Sequence, residues 1–182
     1  MTGHKNNYRP PLTTSQDSLL VNGSDDKFRA MVDDLIAFAD KLQQIREALA
    51  RQMQLTPPQY NILMVLAHAG QPGMTISEMA QRLRVSVPFI VMETRRLDDA
   101  NLLEKKVDER DRRRVNLELT DKGKAALVEI SPLQCDVNDI LFSSLDRKRF
   151  EALHKLTNGL LDSCDAGLAV ARAPRQRSSK RK

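Results

Sequence analysis

The stretch from Thr75 to Thr120 reads TISEMAQRLRVSVPFIVMETRRLDDANLLEKKVDERDRRRVNLELT. Its periodicity predicts a short helix, a tight turn, a second helix, and two strands joined by a charged loop. Thr75 and Glu78 have the T-x-x-E spacing of a capping box, which satisfies free backbone N–H groups at a helix start. Ile76, Met79, Ala80 and Leu83 then share one helical face. Arg84-Val85-Ser86 is the turn. Ser86 suits an N-cap, and Pro88 falls in the first turn of the next helix, where a missing N–H costs little. That helix is expected from Val87 to Ala100, with Ile90, Thr94 and Leu97 as its inward stripe. The order is that of a helix-turn-helix with a wing: one helix offered to a DNA groove, a basic hairpin beside it.

The outward face of the second helix begins with Ser86, Val87, Phe89 and Val91 and continues through Met92 and Arg95. Recognition helices read bases with their N-terminal residues. Here those are largely apolar and suited to thymine methyls, with Ser86 able to hydrogen-bond to a base or a phosphate. Arg95 and Arg96 are better placed for phosphates. The competing reading is that Phe89, Val91 and Met92 are core. Between the strands, Asp108-Glu109-Arg110-Asp111-Arg112-Arg113-Arg114 brings four arginines to a hairpin tip. Arg110, Arg112 and Arg113 fit a minor groove, where narrow A·T-rich segments attract guanidinium groups. The alternative is a solvated turn whose acids and arginines pair, and Asp111 is the residue expected to brace an Arg. In the second strand, Val115, Leu117 and Leu119 alternate with polar residues, the period of a half-buried strand.

These residues carry a resemblance to the MarR family of bacterial winged-helix regulators. The family's D-x-R-x-x-x-V/L-x-L-T run, with a glycine soon after, stands here as Asp111 to Thr120 followed by Gly123. Leu55-Thr56-Pro57-Pro58-Gln59-Tyr60 is similar to its L-T-x-x-Q-F/Y opening, Ile76-Ser77-Glu78-Met79-Ala80 to its L-x-E-L-A, and Val85-Ser86-Val87-Pro88 to its V-S-x-P. Together the matches cover about Phe28 to Gly167. The resemblance implies that Arg113 is the wing arginine of the minor groove and that Ser86 to Arg95 face the major groove. It also implies a small effector bound between the helix after Thr56 and the dimer helices, an aromatic acid or its thioester. The chain departs from the family where Val87, Phe89 and Val91 replace the usual polar groups of the recognition helix.

Outward from this centre, Thr56, Pro57 and Gln59 open another capped helix, expected to end at Gly70 with Ile62, Leu63, Val65 and Leu66 in the core. Tyr60, Met64 and His68 share a separate face of it. They are either boundary residues at a helix interface or one wall of the effector pocket. A long amphipathic helix is expected from Asp25 to Gln52, with more apolar stripe than a small domain needs for its own core. Thr120 caps a helix reaching about Ser143, which Pro132 should kink or divide. A last helix starts at Ser144 or Asp146 and ends near Gly167 or shortly after. The fold class is therefore mainly α with a small β-hairpin wing. The winged helix-turn-helix covers about 56–120, and dimerisation helices cover about 25–52 and 120–168. A two-fold dimer would set two recognition helices about one DNA turn apart, roughly 34–36 Å, on a near-palindromic site.

Residues 1–24 are rich in Asn, Thr, Ser, Gly and Pro and are expected to lack structure, as is the basic tail at 171–182. The net charge is +5, but that tail alone carries six Lys and Arg and no acid, so the remainder stands at −1. The tail is expected to add sequence-independent DNA affinity.

The length fits one domain with appended elements. No run is apolar enough to span a membrane, and the N-terminal residues lack a signal-peptide core, so a cytoplasmic location is expected. Enzyme chemistry lacks its parts: there is no Gly-rich phosphate loop, no G-x-S-x-G and no H-E-x-x-H. The histidines His4, His68 and His154 lie far apart, and no catalytic residue, metal site or cofactor is expected. Cys135 and Cys164 have no metal-like spacing, and Cys135 lies beside Asp136, which disfavours a thiolate. The expected function is a homodimeric, sequence-specific DNA-binding regulator, a repressor released by an effector. The alternatives are a protein-interaction scaffold with degenerate DNA binding and a cysteine-based redox-responsive regulator.

Overall fold

The computed structural model describes residues 10–71, 73–108 and 111–173. Its elements follow the expected order. They are α1 (Asp26–Gln52), α2 (Pro57–Ala69), β1 (Met74–Thr75), α3 (Ile76–Leu83), α4 (Val87–Asp99), β2 (Leu103–Val107), β3 (Val115–Leu119), α5 (Asp121–Leu141) and α6 (Arg147–Arg172). The described residues divide into two compact units, with the boundary between Pro132 and Leu133, inside α5.

The first unit is built on the capped helices. Thr56 and Gln59 form a reciprocal capping box at α2, and Thr75 and Glu78 form another at α3. Each box satisfies orphan N–H groups that would otherwise weaken a helix this short. Ser86 Oγ accepts from the Phe89 N–H at 3.4 Å and starts α4. The core joins Ile62, Leu63 and Leu66 of α2, Met79 and Ala80 of α3, Ile90 and Leu97 of α4, and Leu102, Leu103 and Leu117 of the sheet region. A second cluster sets Leu49 and Ala50 of α1 against Tyr60 and Ile130.

The sheet has three antiparallel strands in the order β1-β3-β2, one more than the sequence reading expected. Met74 pairs with Leu117 and Thr75 with Asn116. Two residues are too short to carry a period. The strand is fixed instead by Gly73, whose φ of +80° and lack of a side chain let the backbone pass against the Leu117 carbonyl. As the middle strand, β3 departs from the expected alternation. Asn116 and Glu118 are buried beside Leu117, whereas Val115 is exposed. Their polar groups are satisfied: Asn116 Nδ2 donates to Asp108 at 3.1 Å, and Glu118 accepts from Lys106 at 3.0 Å and Gln71 at 3.3 Å.

Pro10 to Ser24 correct the expectation of a structureless extension. A 3-10 turn spans Asp17–Leu19, Val21 bridges Ser24, and Asp25 Oδ2 accepts from the Thr13 N–H (2.7 Å) and hydroxyl (2.6 Å). The clasp is long-range in sequence, so composition gave no sign of it. Residues 1–9 and 174–182 lie outside the described residues. Pro132 does not divide its helix, since α5 runs unbroken from Asp121 to Leu141. Thr120 opens α5 as expected, its Oγ1 accepting from the Gly123 N–H at 3.0 Å.

The second unit contains the end of α5 and all of α6. Helix α6 starts at an Asp146 cap and runs to Arg172, five residues beyond Gly167. None of its residues is buried. Phe142, Leu145, Phe150 and Leu153 line a cleft of about 710 Å³, with Asp139, Asp146, Arg147 and His154 at its polar edge. No helix among the described residues is long and apolar enough to cross a membrane.

Candidate nucleic-acid interface

Helix α4 is held by its inward face. Ile90, Thr94 and Leu97 are fully buried as expected, and the Thr94 hydroxyl donates to the Ile90 carbonyl at 2.8 Å. The turn before it is closed by Arg84 in the left-handed region (φ 55°, ψ 43°), the C-cap of α3. Val87, Val91, Met92, Arg95 and Arg96 are exposed, as is Ser86. Phe89 is different. It is half-buried and packs against the core, which makes it a support of the helix and corrects its place among the outward residues.

Glu93 was not expected to matter. It is buried between the apolar residues of the inward stripe, accepts from Gln59 Nε2 at 3.1 Å, and pairs with Arg96 at 3.1 Å. Its spacing from Ile90 and Leu97 was legible as inward, but its charge argued for solvent. The pair draws Arg96 back along α4 and leaves Arg95 as the outward cation of that turn.

The wing is braced by backbone bonds. Asp108 N–H donates to the Arg114 carbonyl (2.9 Å), Asp111 N–H to Asp108 Oδ1 (3.1 Å), and Arg113 N–H to Asp111 Oδ1 (3.0 Å). Asp111 thus holds the backbone of Arg113 rather than a guanidinium, as an Asx-type turn does. Arg112 and Arg113 are exposed at the turn. Arg110 lies outside the described residues. Arg114 is committed elsewhere: its guanidinium meets Glu78 at 2.7 Å and ties the wing to α3. Glu78 also accepts from the Thr75 N–H and hydroxyl, and these bonds, with the arginine beside them, hold its carboxyl below the ordinary range. Glu104 and Glu118 hold Lys106 above its ordinary value, so that ammonium is neutralised within the sheet.

The residues expected to wall an effector pocket are only partly together. Tyr60 is buried in the cluster with Leu49, Ala50 and Ile130, and Met64 packs at its edge. Burial pushes the Tyr60 phenol above its ordinary value. His68 is exposed one turn further on, its Nδ1 2.6 Å from the Met64 carbonyl. Cys135 and Cys164 are exposed free thiols. Among the described residues no cluster of metal-ligating side chains occurs.

The model of the MarR family matches residues 53–114, from the end of α1 through the turn of the wing. The chain is 28% identical over 103 residues to the HTH-type transcriptional repressor MdtR of Bacillus subtilis (strain 168), covering 55% of this chain and 65% of that protein. It therefore spans just under two thirds of this curated relative. The likeness to the MarR family thus lies in residues 53–114. Among solved structures, MarR from Oenococcus oeni PSU-1 superposes with a TM-score of 0.64 at 18% identity, over 73% of this chain and 99% of that one. The Staphylococcus aureus MepR–DNA complex gives a TM-score of 0.61 at 21% identity, over 82% and 99%. At that identity the likeness is one of fold: helices around a small antiparallel sheet, the winged-helix arrangement of MarR structures. The relatives named are described as transcription regulators. The matched segment contains α4, β2 and the turn of the wing through Arg114, and ends before β3.

Proposed function

We propose that this chain is a homodimeric transcriptional regulator that binds double-stranded DNA, a repressor released by a small-molecule effector. The observation that carries the reading is the pairing, in one unit, of an outward α4 face (Val87, Val91, Met92, Arg95) with an exposed Arg112-Arg113 turn whose backbone is pinned by Asp111. A helix held from behind and a basic hairpin beside it are the two parts a groove-and-wing reader needs. The DNA complex of MepR, a structure of the same fold, supports this reading. Two copies address a near-palindromic site, and the exposed apolar residues of α1 and α6 are the surfaces available for pairing. The effector, an aromatic acid or its thioester, acts at the seam of α1 and α2 near Met64 and His68, above the buried Tyr60. It releases DNA by favouring recognition-helix spacings that miss successive grooves. The tail beyond Ala173 adds salt-sensitive, sequence-independent attraction.

The test is a titration of wild type and Arg113→Ala against the chain's own upstream DNA at two salt concentrations. Specific wild-type binding, weakened in the variant with a salt slope lower by about 1, is the expected result. Binding that is wholly non-specific, and indifferent to Arg113, would replace this reading with a scaffold that has lost DNA recognition.

A further inference from the structure

We propose that α4 reads thymine through its C5-methyl group, with Val87, Val91 and Met92 as the specificity-determining residues. The inference rests on the DNA-binding reading above and deepens it. These three side chains are 44%, 45% and 45% exposed, while the core beneath them is already closed by Ile90, Thr94 and Leu97. They are not spare core. Val87, Val91 and Arg95 follow one another at intervals of four, so they form one line along the helix surface.

In the N-terminal half of α4, before Arg95, the polar groups that could read other bases are few or engaged. The Ser86 Oγ accepts from the Phe89 N–H as the helix cap, which leaves its hydroxyl proton as the one polar donor at this end. Glu93, the residue type that accepts from cytosine, is 3% exposed and held by Gln59 and Arg96. No Asn, Gln or Lys lies between Val87 and Asp99. In the major groove the thymine methyl is the apolar feature an aliphatic side chain can cover. Against any other base edge the same side chains would strip water from a donor or acceptor and return nothing. Selectivity therefore comes from both attraction and penalty.

Charge sets which end of the helix enters. Arg95 and the wing's Arg112 and Arg113 suit phosphates, whereas Asp98 and Asp99 at the C-terminal end repel them. The N-terminal half, with the three apolar residues, is the half that approaches the bases.

The experiment puts the change in the DNA, so protein folding is not at issue. The full chain is used to select duplexes from a random library. Affinity is then compared for the selected duplex, for the same duplex with deoxyuridine replacing thymine within the half-sites, and for one with the replacement outside them. Uracil keeps every hydrogen-bonding group and lacks only the methyl. Each contacted methyl removed should weaken binding about four-fold, with no effect outside the half-sites. Val91→Ser and Met92→Ala should bind the thymine duplex more weakly and lose part of the sensitivity to uracil. Specific binding that ignores the substitution would overturn methyl reading and leave DNA binding intact. Failure to enrich any sequence would remove the DNA-binding reading itself, and this proposal with it.

Discussion

The side-chain amide of Gln59, at the start of α2, donates to the carboxylate of Glu93, in the middle of α4, at 3.1 Å, with both residues buried. Gln59 also accepts from the Thr56 N–H at 3.1 Å, so a single side chain caps one helix and sets the rotation of another. Gln59→Ala should destabilise the fold by about 1–3 kcal/mol, since Glu93 would keep its burial and lose a donor. In a double-mutant cycle with Glu93→Leu, the two losses should not add. Additive losses in chemical denaturation would mean that the two side chains act independently.

Gly123 reverses the usual helix rule. Alanine in place of glycine inside a helix stabilises by about 1 kcal/mol. At Gly123 an added Cβ would run into the Leu102 carbonyl, a backbone atom that cannot swing aside. Gly123→Ala should therefore lower the melting temperature, while Gly159→Ala, where the space is open, should raise it or leave it unchanged. Thermal melts of the two variants give the comparison directly.

The Thr13–Asp25 clasp makes stability depend on acid. The Thr13 hydroxyl and then its N–H hold the Asp25 carboxyl below its ordinary value of 3.8. Because the folded value is the lower one, the contribution is complete above the unfolded value and is lost as pH falls through the folded value. Wild type should exceed Asp25→Asn in stability at neutral pH, and the gap should close below about pH 4. Parallel acid titrations followed by circular dichroism would reveal this, and superimposable profiles would exclude the clasp.

Arg114 and Arg113 are neighbours with separate duties. Arg114→Ala breaks the 2.7 Å pair with Glu78, which is partly exposed and so contributes under about 1 kcal/mol to stability. Its larger effect should be on DNA affinity, because the wing loses its tie to α3. Glu78→Gln should reproduce that weakening even though it removes a negative charge. Tighter binding by Glu78→Gln would mean that simple electrostatics, and not positioning, governs this pair.

The helices were legible because their ends are written locally. Thr56, Thr75, Ser86, Thr120 and Asp146 each act as caps in the structure, as their spacing to the following residues predicts. The inward stripe of α4 was legible for the same reason. What escaped depends on distant partners. Strand β1 exists because β3 offers an edge to it, and Asn116 and Glu118 are buried because β3 then has neighbours on both sides. Glu93 is tolerated inside because Gln59, 34 positions earlier, meets it. Phe89 could not be placed by period alone, since it lies on the boundary between the two faces. The cations of the wing stand together in the sequence, but the sequence could not say that Arg114 belongs to Glu78 while Arg113 is exposed.

Helix α6 keeps 26 residues in helical form without burying one of them. A helix in water with only its own hydrogen bonds is marginal, and an apolar stripe left wet contributes nothing to holding it. Under the pairing proposed above, its persistence would scale with how often a second copy meets it. A dilute sample should fray from the carboxyl end while the winged unit still melts cooperatively, and the two transitions should draw together as protein concentration rises. In a cell, copy number would then act as a quality threshold under that proposal: a scarce chain would leave α6 open to proteases, and an abundant one would shield it.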